Sequence, residues 1–280
     1  MTENPFRTAI LLGGGVREAL MAQSVVRAIP GAIVFATPEA IGSLLGLPGM
    51  GRAFVLDDSV RGWLSAFRRL RTGPIDRVVM TPPVSLRASA LAYFSGVQRR
   101  LRLAGAAPPS LQPPAAVRQR LVERLSGFLE PGSCLTIIPG GGNWSSKRAH
   151  PSWAPERFAV VANQSGARRV LILAGAGDEG VVAETRAGIA RPSRAVSLAE
   201  LTIEEAAVIA EVSLAVIGHD GDALHVAAAG GGTVLGLLGR GDVAPKGARV
   251  TQIQVDDFDR LLAQMVVEQL VRQLQVTSYA

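Results

Sequence analysis

The chain has 280 residues, 48% hydrophobic and 19% charged, enough apolar material for two ordinary globular cores, which excludes a disordered or fibrous protein. One cysteine, Cys134, excludes an internal disulfide and a cysteine-based metal site, and only three histidines argue against a zinc enzyme. The net charge of +6 is uneven: residues 1–130 hold 16 Arg against 8 acidic residues, a net +8, and residues 131–280 carry a net −2.

Strand-like runs alternate with helical patterns from the start. Thr8 to Leu12 precedes a helix over Glu18 to Ile29, Ala32 to Thr37 precedes Pro38 to Leu47, and Ala53 to Leu56 precedes Val60 to Leu70. Arg77 to Thr81 follows, then a helix near Ser85 to Phe94. This is the βα rhythm of a parallel, helix-covered sheet. GAAPPSLQPPAA at 105–116 interrupts it and reads as a linker, followed by a helix over Val117 to Leu129. A second series runs through Ser133 to Ile138, Arg169 to Ala174, Leu214 to Ile217, Thr233 to Leu238 and Val250 to Val255. The chain closes on an amphipathic helix, Phe258 to Leu274, with apolar positions at Leu261, Leu262, Met265, Val266, Leu270 and Val271. The expected fold is therefore α/β, two doubly wound Rossmann-like domains, over 1–128 and 129–280, facing a cleft in which ligands bind.

No run of about 18 uncharged apolar residues occurs, and Met1 to Arg7 lacks the basic-then-apolar layout of a signal peptide, so a cytoplasmic location is expected. The basic first half suits an acidic partner, either a phosphorylated glycolipid or an anionic membrane surface. Nucleic acid ranks last, because no aromatic-interleaved basic segment or recognition helix is present. Part of the charge is a solvated helix face: Arg68, Arg69 and Arg71 lie opposite Trp63, Leu64, Phe67 and Leu70.

Three loops carry chemistry. In LLGGGVREAL, Gly13, Gly14 and Gly15 lie between strand and helix and allow close backbone approach, and Glu18 falls in the first helical turn, where the dipole favours a carboxylate. PGGGNWSSKR, 139–148, again follows a strand; it contains Gly140 and Lys147, one of only two lysines, a compact point charge suited to phosphate. Neither loop has the dinucleotide fingerprint or a Walker A frame. In IGHDGDALHVAAAGGG, 217–232, Asp220 and His225 stand five apart where a strand meets a small-residue helix. That loop reads either as a tight turn with Asp220 as helix cap and His225 packed, or as a ligand site.

Taken in order, these segments resemble the ADP-heptose lipopolysaccharide heptosyltransferase family, glycosyltransferases of family 9 with the GT-B architecture. The resemblance extends through AFRRLRTGPIDRVVM, LRASALAYFSGVQRRLRLAG, the Lys-then-WAPERF block, LILAGAGDE and the 217–232 loop. It implies an inverting, metal-independent transfer of heptose or a related sugar from an ADP-activated donor to a lipopolysaccharide-type or other glycan acceptor, with no cofactor, and it allows a peripheral position on the inner face of the cytoplasmic membrane. Glu18 then matches the catalytic Asp as base on the acceptor hydroxyl, and Lys147 the diphosphate-neutralising Lys. The donor site comprises Gly13, Gly14, Gly15, Gly140, Lys147, Glu179, Asp220, Gly221 and His225. Two positions depart from the pattern. Arg17-Glu18 replaces Gly-Asp, lengthening the base by one methylene and placing a cation beside it. Asp220-Gly221-Asp222 replaces Asp-Ser/Thr-Gly, removing a hydroxyl and adding a carboxylate. The alternative these departures leave open is a catalytically impaired member that binds glycan or a partner.

Overall fold

The computed structural model describes residues 8–44, 47, 50–56, 59–73, 75–81, 86–97, 99–102, 109–142 and 153–277. It divides into two units, 1–109 and 110–280.

In the first unit β1 (Thr8–Leu12), β2 (Ile33–Ala36), β3 (Ala53–Val55), β4 (Arg77–Thr81) and β5 (Arg99–Arg102) alternate with α1 (Val16–Ala28), α2 (Pro38–Leu44), α3 (Val60–Thr72) and α4 (Leu86–Phe94). The sheet order is β3-β2-β1-β4-β5, and every pair is parallel. The central strand TAILL is buried throughout, and apolar from Ala9 to Leu12, because helices cover both faces. Ile10 and Leu12 pack with Ala19, Ala22 and Val26 of α1 on one side, and Ala9 and Leu11 with Leu70 of α3 and Leu91 of α4 on the other. Of the expected α3 face, Leu70 is buried but Leu64 is half exposed.

The second unit begins with α5 (Ala115–Arg124), followed by β6 (Cys134–Ile138), α6 (Pro155–Gln164), β7 (Arg169–Leu173), α7 (Glu179–Ala187), β8 (Ala195–Leu198), α8 (Ile203–Val212), β9 (Ala215–His219), α9 (Asp222–Ala229), β10 (Val234–Leu238), β11 (Val250–Gln254) and α10 (Ala263–Thr277). Its parallel sheet runs β11-β10-β9-β6-β7-β8, which is the Rossmann order when counted from β6. A capping box starts α8: the Thr202 hydroxyl accepts from the Glu205 amide at 3.2 Å, and the Glu205 carboxylate accepts from the Thr202 amide at 3.0 Å.

Besides two edge strands that the alternation did not predict, β5 and β8, the domain boundary and the C-terminal helix differ from the expectation. The division falls after Pro109 rather than at 128, because α5 belongs to the second core: Leu121, Leu125 and Leu129 pack with Val208 and Ile209 of α8. The C-terminal helix does not begin at Phe258. A 3-10 turn, Phe258–Arg260, precedes α10 and resets its phase, so Leu261, Val266 and Leu270 are buried while Leu262, Met265 and Val271 are exposed.

Cys134 is fully buried in β6, as its setting among strand residues suggested. Desolvation raises its thiol pKa to about 11, against the weaker opposing effect of its Thr136 and Ser213 neighbours, so it is a small protonated hydrophobe at neutral pH.

Candidate functional site

The second sheet reverses its winding between β6 and β9, and in open α/β sheets ligands bind beyond the strand ends at such a point. Here the loop after β6, Pro139 to Gly142, meets the loop after β9, Asp220-Gly221. The approach is close enough that a Cβ on Gly221 would overlap the Gly141 carbonyl. Glycine at 221 is therefore a packing requirement, which gives a physical reason for the missing Ser or Thr. Gly221→Ser is expected to destabilise the second unit by about 1–3 kcal/mol rather than to restore a phosphate donor, as read from urea denaturation.

Asp220 is not a helix cap. The residue preceding α9 is Gly221, with no side-chain cap, and the Asp220 carboxylate is engaged elsewhere. Its Oδ1 lies 3.0 Å from His225 Nε2, both side chains buried, and its Oδ2 accepts from the Val243 amide at 3.1 Å. The pair thus fixes the β9–α9 turn to the loop following β10. That loop is itself held where Asp242 Oδ2 accepts from the Gly239 amide at 2.6 Å. Asp222, in the first turn of α9, is buried at 8% exposure, a position where the helix dipole favours its carboxylate.

The sequence reading passed over Asp178, although it lies within LILAGAGDE. Its Oδ2 accepts from the Gly142 amide at 3.1 Å and the Gly175 amide at 2.8 Å, tying the loops after β6 and β7 together. Gly140 lies against the same carboxylate, with no space for a Cβ.

Beside this clamp is a pocket of about 300 Å³ over the ends of β6, β7 and β8. Leu173, Ala174, Ala199, Leu201 and Ala223 supply its apolar lining, and Glu179 and Glu200 bring two carboxylates to it. Glu200 has φ 55°, the one non-glycine residue with positive φ among those described. A residue held in that region costs about 1–2 kcal/mol relative to the usual backbone, a strain that clusters at functional sites, and nothing in the sequence signalled it. The structure thus gathers Gly140, Glu179, Gly221, Asp220 and His225 around one strand edge. Lys147 lies outside the described residues.

Gly13, Gly14, Gly15 and Glu18 occupy the corresponding edge of the first unit, after β1, beside the reversal between β1 and β4. Glu18 is buried at 6% exposure and folds back over the turn, so that a Cβ on Gly14 would strike its side chain. Arg17 pairs with it, Nε and Nη2 donating to Oε1 at 3.0 and 2.7 Å. The cation expected beside this carboxylate is therefore in contact with it.

The WAPERF block is structural. Trp153 is fully buried; its indole Nε1 donates to the Leu261 carbonyl at 2.8 Å and its amide to His219 Nε2 at 3.0 Å. Arg157 donates to the carbonyls of Phe258, Leu261 and Asp259 at 2.8–3.0 Å. Phe158 and Phe258 stand edge-on to the His219 ring at 5.3 and 4.9 Å. Through Trp153 and Arg157 the block fastens the approach to α10.

Among the described residues no group of three or more His, Cys, Asp or Glu is placed to hold a metal ion, and no helix is long and apolar enough to cross a membrane. Two Rossmann-like units in series, both parallel and both with glycine turns at the reversal, define an α/β protein of the GT-B type. No family model matches the sequence, and no curated protein matches it. Among solved structures the chain is similar to ADP-heptose LPS heptosyltransferase II of E. coli, with TM-score 0.78 at 18% identity over 98% of this chain and 100% of that one. It is similar to a glycosyl transferase family 9 protein of Veillonella parvula, with TM-score 0.79 at 14% identity over 98% and 99%. It is also similar to the E. coli heptosyltransferase WaaC with ADP, with TM-score 0.65 at 15% identity over 96% and 100%. What is shared at these identities is the fold.

Proposed function

We propose that this protein is a nucleotide-sugar-dependent glycosyltransferase that transfers heptose or a related sugar from an ADP-activated donor to a glycolipid or other glycan acceptor. The observation that carries the reading is the switch point of the second unit. There two glycine loops meet at backbone distance beside a pocket of about 300 Å³ containing two carboxylates. Rossmann units place an acidic side chain after the second strand to accept from ribose hydroxyls, and Glu179 opens the helix after β7, the second strand counted from β6. The apolar lining suits a base, and the diphosphate lies toward Gly221 and the start of α9. Likeness to a protein solved with ADP supports the same nucleotide.

In the proposed reaction Glu18 takes the proton of the acceptor hydroxyl as that oxygen attacks the anomeric carbon from the face opposite ADP, inverting its configuration. Lys147 neutralises the charge that builds on the departing diphosphate, so that the step needs no metal or cofactor. The net +8 of residues 1–130 suits an acidic acceptor. Glu179→Ala is expected to weaken ADP binding by about 1.5–3 kcal/mol, roughly 10- to 150-fold, measured by calorimetry. The reading as a whole is tested by release of ADP from ADP-heptose in the presence of a lipopolysaccharide-core acceptor. Acceptor-dependent release that Lys147→Ala abolishes supports it; ADP binding without acceptor-dependent release overturns the catalytic part. The second reading, a binding protein without turnover, is favoured by one observation, the Arg17–Glu18 contact that engages the base. It predicts that second outcome.

A further inference from the structure

We infer that the carboxylate of Glu200 selects the nucleobase of the donor by accepting a hydrogen bond from an exocyclic amine, which adenine presents. Glu200 lines the pocket over the ends of β6, β7 and β8, and the assignment rests on reading that pocket as the nucleotide site. The lining brings two carboxylates, Glu179 and Glu200, and no basic side chain. Two carboxylates repel a diphosphate, so they face the uncharged part of the ligand. Glu179, at the start of α7, is placed for the ribose. Glu200 follows β8, the outermost strand, on the side of the pocket away from Gly221 and α9, where the diphosphate lies. That leaves the base for Glu200. An ionised carboxylate only accepts hydrogen bonds, and the N–H groups of adenine in a nucleotide are those of its amine.

The backbone at Glu200 is strained as well, at φ 55°. Both flanks of the turn are fixed: the Leu198 carbonyl accepts from the Ala174 amide at 2.9 Å, Leu201 is buried, and Thr202 opens α8 with its capping box. Glycine would meet that conformation without strain. A glutamate there gains nothing within the protein, since its carboxylate makes no hydrogen bond or ion pair with any described residue. Strain without a structural return is the pattern of a residue retained for a ligand. An ordinary turn residue, by contrast, could become glycine with a gain in stability and no loss of binding.

The test is calorimetric titration of the full chain with ADP and with the diphosphate of purine riboside, in which hydrogen replaces the amine. The wild type is expected to bind ADP about ten-fold more tightly, the effect of one hydrogen bond to a charged group. Glu200→Gly should lower ADP affinity to that of the analogue and leave the analogue's own affinity unchanged. The same variant should raise the urea midpoint, because the turn relaxes. Glu200→Gln, whose amide carbonyl still accepts, should keep part of the preference for ADP. Equal affinity of the wild type for the two nucleotides, or a preference that survives Glu200→Gly, would overturn the assignment while leaving the pocket a nucleotide site. Absence of binding by either nucleotide would overturn both the assignment and the nucleotide reading beneath it.

Discussion

Glu18→Gln is expected to reduce sugar transfer by about 10²- to 10⁴-fold while leaving ADP affinity unchanged. The amide keeps the size and position of the side chain over Gly14 but cannot accept the acceptor's proton. Glu18 belongs to the first unit and the pocket proposed for the nucleotide to the second, so base and donor should separate in the kinetics: kcat falls and donor binding holds. Turnover by Glu18→Gln equal to wild type would remove Glu18 from the mechanism. Arg17→Ala is the informative companion, because it leaves the carboxylate and removes the group that now contacts it.

Trp153→Ala should cost the second unit about 3–5 kcal/mol, a large share of the stability of an ordinary domain. The ring is fully buried, stacks edge-on to Phe158 at 5.0 Å, and carries the indole hydrogen bond to Leu261 that holds the approach to α10. Trp153→Phe keeps most of the apolar volume and loses that bond, so it should fall between wild type and Ala. Urea denaturation gives both numbers, and an unchanged midpoint for Trp153→Ala would contradict the structural role of the WAPERF block.

The alternation of strands and helices was legible because parallel strands covered on both faces are nearly continuous apolar runs, as TAILL and CLTII are but for one Thr each. Two of the four edge strands, RRLR in β5 and AVSL in β8, escaped notice for the same reason inverted: at a sheet edge neither carries a continuous apolar run. The membership of α5 was not readable either, since Leu121 and Leu125 announce a buried face without saying which core receives it. At the site, spacing was enough to single out Asp220 and His225, which do pair. It could not tell that Gly221 is imposed by the Gly141 carbonyl, or that Asp178 rather than its neighbour Glu179 clamps the loops. Those facts depend on contacts between segments tens of residues apart. Glu200 had no local signal at all, because backbone strain at a non-glycine residue is decided by its surroundings.

The central claim is that the reversal point of the second sheet holds a nucleoside diphosphate, and calorimetric titration of ADP into the full chain tests it most directly. The account predicts saturable binding of one ADP per chain, weakened by Glu179→Ala and by Lys147→Ala and untouched by Glu18→Gln. Absence of saturable binding, or binding that neither the Glu179 nor the Lys147 substitution alters, would contradict it.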